Sequence, residues 1–104
     1  MFVVVFCEKL STATEVSKKI LLGICDHVNG RTSRGGTRIE IDSKNIVVDI
    51  RMAVKEKSAG MRPDYALLYD TSTDFDDYWR FNMYGRYTEL RTVDEIVELI
   101  IKED

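Results

Sequence analysis

Histidine occurs once in the chain and cysteine twice, and each scarcity closes off a class of protein. A single histidine, His27, gives no base partner for Ser11, Thr12 or Ser33, so a Ser/His/Asp triad cannot be assembled. Cys7 and Cys25 lie in apolar runs with no further Cys or His at metal-ligand spacing, so both are read as buried, reduced thiols rather than a disulfide or a zinc site. The longest apolar stretches, Phe2 to Cys7 and Ile20 to Cys25, fall far short of the roughly 20 residues that cross a bilayer. Neither a basic leader nor a small-residue cleavage site precedes the first apolar run. A cytoplasmic protein without a membrane partner is therefore expected.

What is present suits one folded unit. The chain has 104 residues, 44% apolar and 32% charged, enough apolar material for one hydrophobic core and far from a disordered composition. A single domain over 1–104 is expected. The net charge of -3 conceals a polarity: residues 31–62 hold eight Arg and Lys against four acids, whereas 64–104 hold eleven acids against four bases. The basic middle is where an acidic partner or a phosphate backbone would be met.

Hydrophobic periodicity sets the order of elements. Phe2-Val-Val-Val-Phe6 is an unbroken β-branched and aromatic run, the signature of a strand covered on both faces. Thr12-Ala-Thr-Glu15 has the form of a capping box opening a helix from about Ala13 to His27, with Ala13, Val16, Ile20, Ile24 and Val28 on one face and Asn29-Gly30 as a left-handed stop. Arg31 to Gly36 reads as a flexible basic loop. Strict alternation over Thr37–Asp42 and Ile46–Val54, joined by Ser43-Lys-Asn45, predicts an antiparallel hairpin at a sheet edge. After a polar connector, Tyr65–Tyr69 is a further strand closed by Asp70. Phe75, Tyr78, Trp79 and Met83 fit one stripe of a short helix, Tyr87–Leu90 a short strand, and Thr92-Val-Asp-Glu95 caps a last amphipathic helix. The order β-α-β-β-β-α-β-α predicts an α/β domain with a mixed sheet of about five strands; a ferredoxin-like α+β arrangement is the alternative.

Three sets of residues carry candidate chemistry. Asp70 and Asp74, with Asp76 and Asp77 nearby, offer oxygen ligands for a divalent cation such as Mg²⁺, although helix capping accounts for most of them. Arg31, Arg34, Arg38, Arg51 and Arg62 form a basic set suited to phosphate contacts. Arg80, Tyr84, Arg86 and Tyr87 interleave cations with aromatic rings, a pattern shared by single-strand nucleic-acid sites and protein hot spots. Pro63-Asp64 opens like a metal-dependent nuclease core, but the Glu-x-Lys or Asp-x-Lys required on the next strand is missing.

The segment Gly60-Met-Arg-Pro-Asp-Tyr-Ala-Leu-Leu-Tyr-Asp70, following a basic hairpin, resembles the Walker B region of phage terminase and helicase-type P-loop NTPases. The resemblance spans residues 30–75 and implies a Mg²⁺-holding role for Asp70 and a phage or mobile-element origin. The residue after Asp70 is Thr71, where the family has its water-activating glutamate. The turn Cys7–Thr14 lacks the glycines and the Gly-Lys-Ser/Thr ending that close backbone amides on a phosphate. A degenerate, P-loop-like and non-catalytic relative is what the resemblance implies.

Taken together, these residues point to a small accessory protein, more readily non-catalytic than an enzyme and without a resident cofactor, that acts by binding another protein. Nucleic-acid binding through the 31–62 arginines and the late aromatics is the second reading. A metal-dependent enzyme centred on Asp70 and Asp74 is the third. A homodimer through an unpaired strand edge is compatible with the first.

Overall fold

The computed structural model describes residues 1–52, 62–70 and 86–102. Six strands and two helices are found among them: β1 (Phe2–Cys7), α1 (Leu10–Ile24), β2 (Arg31–Ser33), β3 (Arg38–Ile41), β4 (Ile46–Met52), β5 (Tyr65–Asp70), β6 (Thr88–Leu90) and α2 (Val93–Lys102). The strands form one mixed sheet in the order β2-β3-β4-β1-β5-β6. β1 runs parallel to both of its neighbours, β5 and β6 are parallel, and β2, β3 and β4 are successively antiparallel. The α/β expectation holds. The ferredoxin-like alternative does not, because the strand at the centre has parallel partners on both sides.

The unbroken apolar run of β1 occupies the centre because only there is each side chain covered: Val3, Val4, Val5, Phe6 and Cys7 have no exposed surface. Alternate residues divide between the two faces. Val3, Val5 and Cys7 join Ile39, Ile41, Ile46, Val48, Ile50 and Leu67 beneath both helices, whereas Val4 and Phe6 meet Ala66 on the opposite face. The helices supply Ala13, Val16, Ile20 and Ile24 from α1 and Val93, Ile96 and Ile100 from α2. Each isoleucine, leucine or valine taken fully from water contributes about 1.5–3 kcal/mol, so this two-layer core dominates the stability.

Local signals and tertiary geometry disagree at several places. The link from β1 to its helix is two residues long, so α1 starts at Leu10, with Lys9 as N-cap and no side-chain cap bond. Thr12 therefore lies inside the first turn, and Glu15 pairs with Lys19 at 3.3 Å instead of capping. The second capping sequence is used, in a variant form: Thr92 Oγ1 accepts the Glu95 amide at 3.3 Å, and the Glu95 carboxylate accepts the amide of Arg91, one residue before the cap, at 3.1 Å. At the other end of α1, Cys25 is exposed, not buried, because it falls one position past the stripe that ends at Ile24. The amides of His27 and Val28 both return to the Ile24 carbonyl at 2.9 Å. Asn29-Gly30 is not a left-handed stop, since positive φ among the described residues is confined to Arg34, Gly35, Gly36 and Asn45.

The basic loop is in part a strand. Arg31–Ser33 pairs with Arg38–Glu40, so β2 is the edge and the β3–β4 hairpin lies one strand further in. The reversal between them holds three successive left-handed residues, with φ of 52° at Arg34, 69° at Gly35 and 88° at Gly36. Glycine meets that requirement without a Cβ clash at two of the three positions. The helix expected over 75–83 lies outside the described residues.

Candidate functional site

The face of the sheet away from the helices changes character from one side to the other. On β1 and β5 it carries Val4, Phe6, Ala66 and Leu68. On β2, β3 and β4 the same face carries Arg31, Arg38, Glu40, Asp49 and Arg51. The pairing fixes this: Arg31 stands opposite Glu40, Arg38 opposite Asp49, and Asp49 beside Val4. Residues two apart on a strand share a face, so Arg38-x-Glu40 and Asp49-x-Arg51 each bring opposite charges to one side.

Asp49 is the hub. Its side chain is only 3% exposed, and its Oδ2 lies 3.0 Å from Arg51 Nε, 3.8 Å from Arg38 Nη1 and 3.9 Å from Arg34 Nη1. Arg38 also reaches Glu40 through Nε at 3.1 Å. Arg31 spans two carboxylates, Glu40 at 2.7 Å and Asp42 at 2.9 Å. The hydrogen bond from Arg31 is the main reason that the Asp42 carboxyl is held below its ordinary range, and the same bond raises the Arg31 guanidinium. Four guanidinium groups thus meet three carboxylates, Glu40, Asp42 and Asp49, with one positive charge in excess. Beside Arg31, a shallow depression of about 470 Å³ runs from His27 and Asn29 to Asp42 and Ser43.

Of the residues singled out from the sequence, Arg31, Arg34, Arg38 and Arg51 are brought together. Arg62 is exposed near the start of β5 and Arg86 is exposed near the start of β6, and neither is ion-paired with Glu40, Asp42 or Asp49, whose partners are Arg31, Arg34, Arg38 and Arg51. Tyr87 packs against the apolar half of the face. Arg80, Tyr84 and Asp74 lie outside the described residues. Asp70 ends β5 in register with Cys7, after a bulge that skips Tyr69. That places it at the carboxyl end of the sheet between β1, whose chain returns to the sheet on the β4 side, and β5, whose chain returns on the β6 side, the kind of switch point where open α/β sheets hold ligands. Nearby, Lys19 donates to the Tyr69 hydroxyl at 3.1 Å, and this bond is the main cause of its raised pKa. Among the described residues no group of three His, Cys, Asp or Glu is placed to hold a metal ion.

Asp64, considered for a nuclease core, has a structural task. Its carboxylate accepts the Phe2 amide at 2.7 Å while its own amide donates to the Phe2 carbonyl at 2.8 Å, fastening the start of β5 to β1. Glu40, Asp42 and Asp49 are the site residues that a charge count alone leaves out, because it does not say which arginine each carboxylate meets. The i, i+2 spacing on strands was the available signal. No helix among the described residues is long and apolar enough to cross a membrane. No family model matches the chain, and no curated protein or solved structure matches it either.

Proposed function

We propose that the chain is a non-catalytic module that binds another protein through the guanidinium-bearing face of β2, β3 and β4. The observation that supports this reading is the convergence of three arginines on one buried carboxylate oxygen, at 3.0, 3.8 and 3.9 Å. Each guanidinium has five N–H donors, far more than Asp49 and Glu40 accept, and the side chains of Arg34 and Arg51 keep 64% and 35% of their exposure. Arginine so held is a frequent interface anchor, because its ordering is largely complete before a partner arrives.

Nucleic acid suits this face less well. A duplex presents a negative charge about every 1.7 Å along its axis, and three carboxylates set among the arginines would oppose it. The test is affinity purification of the full chain from its native cell, with nuclease on half the sample, comparing the unaltered chain with R34A/R51A. Protein partners that survive nuclease and are lost with the double substitution are expected. Capture that ignores the substitution, or that vanishes with nuclease, overturns the reading.

A further inference from the structure

The arginines on this face are not equally satisfied. Arg31 and Arg38 each engage two carboxylates, whereas Arg51 gives Asp49 only its Nε, and Arg34 has one contact at 3.9 Å. Among the described residues Arg51 donates a hydrogen bond through Nε alone, to Asp49. The side chains remain 64% exposed for Arg34 and 35% for Arg51. Both guanidinium groups lie within 4 Å of the same Asp49 oxygen, so two like charges are held close together over a single shared counter-charge. Arg34 reaches this place from a left-handed turn, with φ of 52°, a conformation uncommon for a residue with a side chain.

Resting on the binding face proposed above, we infer that the partner's contact segment is an acidic peptide whose Asp or Glu carboxylates dock on Arg34 and Arg51. A carboxylate is planar and takes two parallel N–H bonds from one guanidinium, which matches the unused donors. It also relieves the crowding of the two cations. Discrete carboxylates on a peptide can sit between Glu40, Asp42 and Asp49, whereas the uninterrupted phosphates of a nucleic acid cannot avoid them. The interleaved acids therefore act as a filter for sparse negative charge.

The test uses the full chain and three fluorescent probes in anisotropy titrations: a ten-residue peptide alternating Glu with Ser, its Gln-for-Glu counterpart, and a single-stranded ten-nucleotide oligothymidine. The Glu peptide should bind, with at least ten-fold loss for the Gln counterpart, for the oligonucleotide and for R34A/R51A. The variant R34K/R51K keeps both charges but loses the planar fork, and should bind at least three-fold more weakly. K18A, on the far side of the sheet, should bind as the unaltered chain does. Circular dichroism verifies folding, and R34A alone, at an exposed turn, serves if the double variant fails to fold. Equal binding of the Glu and Gln peptides, tighter binding of the oligonucleotide, or a dimer of this chain dissolved by R34A/R51A overturns the inference. If arginine-dependent, nuclease-resistant protein capture persists while the Glu peptide fails to bind, the acidic partner falls and the binding face stands.

Discussion

Replacing Asp49 with Asn removes one charge and almost no volume, so it isolates the electrostatic hub from packing. The carboxylate is 3% exposed, donates nothing, and receives Arg51 Nε at 3.0 Å with Arg38 and Arg34 at 3.8 and 3.9 Å. A hydrogen bond to a charged group is worth about 1.5–3 kcal/mol, and removing one partner of a fully buried pair costs about 3–5 kcal/mol. Here the arginines keep 26–64% of their side-chain exposure, so water recovers part of what they lose. The expected destabilisation is about 2 kcal/mol, or a fall of about 10 °C in Tm for a domain of this size. Urea unfolding followed by circular dichroism measures it, with an unchanged slope showing that the two end states are the same. A cycle with R51M tests the cause: the double variant should lose about 1 kcal/mol less than the sum of the singles. A D49N chain as stable as the original, or singles that add within about 0.5 kcal/mol, would refute the hub.

Two further outcomes follow from other contacts. A Cβ at Gly23 would stand 2.8 and 2.9 Å from the two Val97 methyl carbons, and a valine in a helix has one strongly preferred rotamer, so it cannot swing aside. G23A should therefore lose about 1–3 kcal/mol to overpacking against a helix-propensity gain of about 1 kcal/mol, a net destabilisation in urea titrations, while in a V97A background the same change should stabilise. The Asp42 carboxyl, held low chiefly by its bond from Arg31, should titrate in ¹³C NMR below the ordinary value of about 3.9 and return toward it in R31A. Because the folded pKa is the depressed one, its contribution to stability is present above the unfolded value and is lost as pH falls through the folded value. An Asp42 titration identical in R31A would remove that assignment.

The elements that were legible in the sequence are those whose burial pattern is also their local pattern. Phe2–Cys7 is apolar throughout because a central strand with parallel neighbours on both sides has no wet face. The stripe Val93, Ile96 and Ile100 with its Thr92–Glu95 capping box reads as a helix because local capping and core burial agree there. The hairpin shows itself by alternation. Where the two levels conflict, the tertiary one prevails: a two-residue link starts α1 at Leu10, ahead of the Thr12 cap, and three residues of a glycine-bearing loop become β2 because the β3 edge offers backbone partners.

The same division runs through the candidate site. By itself the sequence determined a basic middle segment, the identity of its arginines and the strand periodicity that sends alternate residues to one side, since these depend on composition and on the geometry of a single strand. That Arg34, Arg38 and Arg51 meet at Asp49, and that Arg62 and Arg86 are not among its partners, follows instead from how the strands pair. Register between strands is set by which apolar set must face the core, and that long-range choice places charges from residues 31 to 51 within a few ångströms of one another.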